Sequence, residues 1–202
     1  EAIARRHITG SMLRDYQNGA DSICDIALPD DLAPHQRLPE LLITPSTKGI
    51  MHGIPGIPEK DDVNISREQI YRNFAQFGFD LQADIWRYEQ LTTQGFGIME
   101  SAALLVGERL ADTKFEFGYI LSPDGRRRLA FIDEAGTPDS SRFWDKAAYR
   151  RGRIVENSKE GFRNQLLRLA DEHGIGRNVL VNKDRMDERQ AFAAGFTVPL
   201  EV

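Results

Sequence analysis

The stretch from Asp112 to Glu134 reads as an antiparallel hairpin, and that commits the chain to an antiparallel sheet. Phe115, Phe117, Tyr119 and Leu121 recur at every second residue, the period of a strand with one buried face. Pro123-Asp124-Gly125 then supplies a turn ahead of Phe131-Ile132-Asp133-Glu134. The alternation sends Glu116 to the opposite face. With a two-residue Asp124-Gly125 turn, Glu116 lies directly across from Asp133. A type I turn over Ser122-Pro123-Asp124-Gly125 with a bulge at Gly125 shifts the register by one and puts the two carboxylates on opposite faces, so that a second bulge would have to reunite them. Opposed carboxylates at a cross-strand Cβ spacing of roughly 5 Å repel, and a fold that keeps them gives them a cation; Mg²⁺ carrying a nucleotide phosphate suits the pair. The plainer alternative is two solvated acids at strand ends.

The next segment, Thr137-Pro138-Asp139-Ser140-Ser141-Arg142-Phe143-Trp144-Asp145-Lys146, gathers an acid, hydroxyls, an arginine and a lysine around a proline-containing turn. A loop of that make-up offers a fork of donors to a phosphate or carboxylate. Elsewhere, Ile3 to Ile8 reads as a strand and Ser11 to Gln17 as a short helix ending near Gly19. Asp25 to Asp61, rich in Pro, Gly and Asp, is expected to be an extended wrapping segment, of the kind that holds a ligand. Ser66 is a helix N-cap with Glu68 and Gln69 in the first turn, and Ile70, Phe74 and Phe77 mark the inner face. A longer helix over roughly Leu81 to Leu110 is expected to break near Gly95 and Gly97. Phe162, Leu166 and Leu169 form a last amphipathic stripe, expected to join the core. The chain is therefore of the α+β class, an antiparallel sheet packed with helices.

With 202 residues and 41% hydrophobic content, one core and one main domain are expected. A formal net charge of -5 argues against nucleic acid or an anionic membrane as the main partner. The basic runs Arg126-Arg127-Arg128 and Arg150-Arg151-Gly152-Arg153 read as solvated turn and helix residues. Cys24 is the only cysteine, which excludes a disulfide framework and suits a reducing cytoplasm, with the thiol buried and inert. His7, His35, His52 and His173 stand too far apart for a local metal motif, and none accompanies a nucleophile signature, so a hydrolase triad is a poor fit. No apolar run reaches the roughly 20 residues of a membrane span.

As ordered strings these segments say more. Asp112-Thr113-Lys114-Phe115-Glu116-Phe117-Gly118 followed by Asp133-Glu134 and Pro138-Asp139-Ser140-Ser141-Arg142 resembles the signature of the phosphoribosylaminoimidazole-succinocarboxamide synthase family. Glu1 to Ser11 matches the family's strand in which an arginine comes six positions before a Gly-Ser. Leu42-Ile43-Thr44-Pro45-Ser46-Thr47-Lys48, with Asp61-Asp62-Val63-Asn64-Ile65-Ser66, matches its Thr-Pro-x-Thr-Lys segment and the acidic loop after it. The likeness runs in order from Glu1 to about Arg163. It departs from the family at Asp61, which stands where a histidine is usual, with Gly53-Ile54-Pro55-Gly56-Ile57-Pro58 inserted ahead. The resemblance also implies that the family's N-terminal nucleotide lobe lies outside these residues, that residues 1–202 are part of one substrate-binding and catalytic domain of an ATP-grasp-related architecture with no second complete domain, and that Asn178 to Val202 stops short of a closing helix.

What the resemblance implies about chemistry is specific. The family uses ATP and Mg²⁺ to turn the carboxylate of carboxyaminoimidazole ribonucleotide (CAIR) into an acyl phosphate, which the amine of L-aspartate attacks to give SAICAR in cytoplasmic purine synthesis. By motif position, Glu116 and Asp133 match the Mg-ATP ligands, and Lys114 the cation that neutralises phosphate or carboxylate. Arg5, Ser11 and Arg142 match the grip on the ribose phosphate, with Ser141 as an extra hydroxyl. Asp139 matches a residue near the imidazole carboxylate, and Lys48 and Asp62 fall on the nucleotide and aspartate side. A small-molecule kinase of the same architecture and a non-catalytic nucleotide-binding relative are the alternatives. Oligomeric state is left open, a homo-oligomer included.

Overall fold

The computed structural model describes residues 1–172 and residue 174. The chain divides into two compact units, one of Glu1–Lys159 and a second from Glu160 onward. The first is built from β1 (Ala2–His7), α1 (Gly10–Gln17), β2 (Ser22–Ile23), β3 (Ile26–Ala27), β4 (Arg37–Pro45), α2 (Arg67–Arg72), α3 (Ala83–Leu105), β5 (Glu108–Phe115), β6 (Phe117–Leu121), β7 (Arg127–Phe131), β8 (Ser141–Asp145) and α4 (Lys146–Arg150). The helix α5 (Lys159–Glu172) follows.

A four-stranded sheet in the order β4-β1-β5-β8 organises the first unit, and each pairing in it is antiparallel. Directly opposed residues share a face of such a sheet. Ala2, Ala4 and Phe115 therefore lie on one face, where they pack with Tyr88, Phe96 and Ala103 of α3. On the other face Leu42 joins Leu38, Ile8 and the α1 residues Met12 and Leu13 in a second core. Arg5, opposite both Leu42 and Asp112, belongs to this second face, as do Lys114 and Arg142. Apolar burial thus fixes the sheet from both sides, and a charged row lies within the second face, buried at Arg5 and Asp112.

Several expectations are corrected. The segment from Asp25 to Asp61 is not all wrapping loop, since it contains the nine-residue edge strand β4. Pro39 and Pro45 disguise it in the sequence, but an edge strand has one side without a ladder and tolerates them. Helix α3 runs unbroken through Gly95 and Gly97. Gly95 is there for space rather than for a kink: a Cβ on it would come within 3.0 Å of the Phe131 ring and 3.4 Å of Phe115. Helix α2 ends at Arg72, before Phe74 and Phe77, although Ser66 and Gln69 do form the capping box at its start. Phe162 of α5, expected in the core, is exposed. The expectation for Asn178 to Val202 lies outside the described residues.

The hairpin takes the bulged register. Phe117 pairs with Phe131 and Tyr119 with Leu129, while Gly125 N–H donates to Ser122 O (2.8 Å) and Gly125 sits at φ +76. That is the type I turn closed by a left-handed glycine, and it removes Asp133 from the position directly across from Glu116. The two acids escape strict alternation because neither lies within a strand. Glu116 falls at the junction where β5 leaves the large sheet and β6 begins, and Asp133 lies beyond the end of β7.

Candidate functional site

Three neighbouring strands build a charged row on the second face. Arg5 of β1 pairs with Asp112 of β5, and Asp112 pairs with Arg142 of β8. One oxygen, Asp112 Oδ2, accepts from Arg5 Nη1 at 3.5 Å and from Arg142 Nη1 at 2.6 Å. Arg5 Nε also donates to Thr44 Oγ1 of β4 (2.8 Å), so side chains of all four strands take part. Arg5 and Asp112 are 2% and 3% exposed, and burial pulls the Arg5 guanidinium below its ordinary value while Asp112 opposes the shift. Such a buried guanidinium keeps its charge.

Arg142 lies at the start of α1. A Cβ on Gly10 would be 2.7 Å from Arg142 Nη2, and Gly10 has φ +59, so only glycine lets the guanidinium rest on this turn. Ser11 is the second residue of the helix. Two guanidinium groups and the amino end of a helix thus converge with one carboxylate among them, an excess of positive charge suited to an anion. Ser141 points elsewhere. It pairs with Thr113, one residue out of step with the row, and the two buried hydroxyls share a 2.7 Å hydrogen bond on the α3 face.

A second cluster, more exposed, lies around Glu116. Lys48 Nζ donates to Glu116 Oε1 and stands 3.9 Å from Asp133 Oδ2, so a single ammonium collects both carboxylates despite the bulged register. The hydrogen bond to Glu116 holds the Lys48 ammonium above the usual lysine value. Lys114 does not join them, for its Nζ donates to Glu1 Oε1 (3.0 Å), which also accepts from Ser46 Oγ (3.0 Å). Asp62 occupies a left-handed conformation at φ +52, next to Val63, whose N–H donates to Thr47 Oγ1 and whose carbonyl accepts from Thr47 N–H. The acidic loop is thereby stitched to the residue before Lys48. Asp139 is exposed and forms a 2.8 Å ion pair with Lys159.

The profile of the SAICAR synthetase family matches residues 1–175. The chain belongs to the SAICAR synthetase family. The phosphoribosylaminoimidazole-succinocarboxamide synthase of Shewanella amazonensis is 55% identical to it over 201 residues, and that of Vibrio cholerae 53%. Each alignment covers 100% of this chain and 54% of the relative, so the chain spans about half the length of the curated relatives it matches. Among solved structures, the SAICAR synthase from Saccharomyces cerevisiae, described as complexed with SAICAR, aligns with a TM-score of 0.63 at 27% identity, over 98% of this chain and 61% of its own. The family's α+β fold, with an antiparallel sheet packed against helices, is the one found here.

Sequence reasoning passed over three residues of the charged row. Asp112 was legible in principle, since it precedes Lys114 by two residues on one strand. Thr44 and Gly10 were not, because what distinguishes them is a contact with an arginine distant in the chain: Arg5 lies 39 residues from Thr44.

Proposed function

We propose that the protein of which this chain is a part is an ATP-dependent ligase that joins the carboxylate of CAIR to the amine of L-aspartate. The observation that carries this reading is the presence of two charge clusters, a buried cationic row within the four-stranded sheet with an excess of positive charge and, just beyond the strand ends, a carboxylate pair that already holds a cation. Membership of the family and the SAICAR complex of the yeast relative support it.

Arg5, Arg142 and Ser11 bind the ribose phosphate, and the fixed fork of each guanidinium orients it. Asp112 holds both forks in place. Glu116 and Asp133 fit Mg²⁺ on one observation: a cation, the Lys48 ammonium, is already collected by both. Mg²⁺ bound with phosphates needs only one or two carboxylates. When bound there with ATP, Mg²⁺ supplies charge neutralisation for phosphoryl transfer to the substrate carboxylate. Lys114, near the end of β5 and two residues before Glu116, adds positive charge for the phosphates or the carboxylate. Asp139 lies near the imidazole end, and Lys48 and Asp62 flank the nucleotide and the amino-acid substrate. Positioning and neutralisation are the whole of the protein's task here, because activation of the carboxylate comes from ATP. No helix among the described residues is long and apolar enough to cross a membrane. The proposed reaction takes place in the cytoplasm, where its small-molecule substrates are met.

ADP release by the full-length protein tests the reading. A ligase releases ADP and phosphate only when CAIR and L-aspartate are both present. Turnover indifferent to aspartate would make it a kinase, and none with either substrate would leave a binding module.

A further inference from the structure

We propose that Lys48 couples admission of the metal to admission of the nucleotide: its ammonium holds Glu116 and Asp133 against a free divalent cation and yields them when phosphate oxygens arrive to receive it. The inference rests on the reading of Glu116 and Asp133 as the metal pair.

Three features make Lys48 the displaceable partner. Its side chain is 63% exposed against 22% for Glu116, so the lysine, not the acid, has room to leave. Its backbone stands between a fixed point and a pivot. Thr47 is 2% exposed and doubly hydrogen-bonded to Val63, whereas Gly49 adopts φ +83 with nothing within 4 Å of where a Cβ would sit. The neighbouring cations are engaged elsewhere, Lys114 with Glu1 and both arginines with Asp112. A lysine suits exchange better than an arginine would, because its compact ammonium on a four-carbon stem gives up one carboxylate without losing a paired fork.

The consequence follows from charge. A free divalent ion must expel the ammonium into water before it gains both carboxylates. An ion that comes with a nucleotide brings phosphate oxygens that take the ammonium over, so displacement costs little. Metal and nucleotide should therefore bind with strong mutual preference, and Lys48 should be its source.

The test uses the full-length protein and Mn²⁺ as the probe, followed by electron paramagnetic resonance without nucleotide and with ADP. Lys48→Met keeps the length of the side chain and removes its charge. Groups just outside a metal's ligands typically move its affinity by roughly 10- to 100-fold. Lys48→Met should accordingly bind Mn²⁺ about tenfold more tightly without nucleotide, and Mn²⁺ with ADP more weakly, while Lys48→Arg, which keeps the charge, stays near wild type without nucleotide and loses part of the gain with ADP. Unchanged or weaker Mn²⁺ binding by Lys48→Met without nucleotide overturns the proposal; if Glu116→Gln still loses Mn²⁺ in that case, the metal pair survives. Should Glu116→Gln and Asp133→Asn both bind Mn²⁺ as wild type does, the metal reading falls, and the coupling with it.

Discussion

The Arg5–Asp112–Arg142 row and the Lys48–Glu116–Asp133 cluster use the same charge types in opposite ways. The row is buried, cross-linked through four strands, and its carboxylate serves two arginines at once. The cluster is largely exposed, and its cation comes from a loop 68 residues away from Glu116. In the first, removal of the carboxylate leaves two uncompensated guanidinium groups, one of them in a dry place. In the second, water screens whatever is left. On the proposed reading, a grip on a substrate that must always look the same would be built into the sheet, and a grip on a group that comes and goes would sit on strand ends and a loop.

The largest expected effect separates the two on stability. Asp112→Ala should cost about 3 to 5 kcal/mol in denaturant unfolding, because it strands two guanidinium groups, one of them fully buried. A loss below 1 kcal/mol would mean that the row is already hydrated. Glu116→Gln or Asp133→Asn should do the reverse, lowering turnover by roughly 100-fold or more while unfolding moves by less than about 0.5 kcal/mol. Equal activity would end their assignment to the metal.

Acid should also find the buried region first. His7, on the same face two residues after Arg5, is wholly buried against Trp144 and Tyr149, and burial, helped by Arg109 and Arg37, pushes its pKa down to about 3. The unfolded chain binds that proton near pH 6.5 and the folded one does not, so stability is complete above that pH and falls as pH drops toward about 3. The slope reaches at most about 1.4 kcal/mol per pH unit, and His7→Phe should flatten it in unfolding curves taken across that range. Persistence of the full slope in the variant would assign it to other groups. A smaller effect is expected of Gly10→Ala, which should cost about 1 to 2 kcal/mol through its left-handed backbone and displace Arg142, raising the apparent KM for CAIR more than it lowers kcat. An unchanged KM would remove Arg142 from the phosphate grip.

Much of this site was legible because strand alternation is a local signal. Arg5 and Lys114 could be set within strands from the alternation around them, and Ser66 and Gln69 announced a helix start that the structure contains, whereas Glu116, expected on one strand face with Lys114, lies between β5 and β6. What escaped was non-local. The Lys48 contact with Glu116 has no sequence period, and the prolines that hid β4 are permitted only because of its place at the edge of the sheet, which no local pattern encodes. The register of the hairpin was open between two turns of nearly the same sequence; the left-handed Gly125 decided it.

Arg5 and Asp112 lie 107 residues apart, and Arg142 follows 30 later. A half-assembled form with β1 against β4 and no β5 would hold Arg5 inward without its carboxylate, so completion of the charged row is tied to completion of the sheet and any such form is penalised.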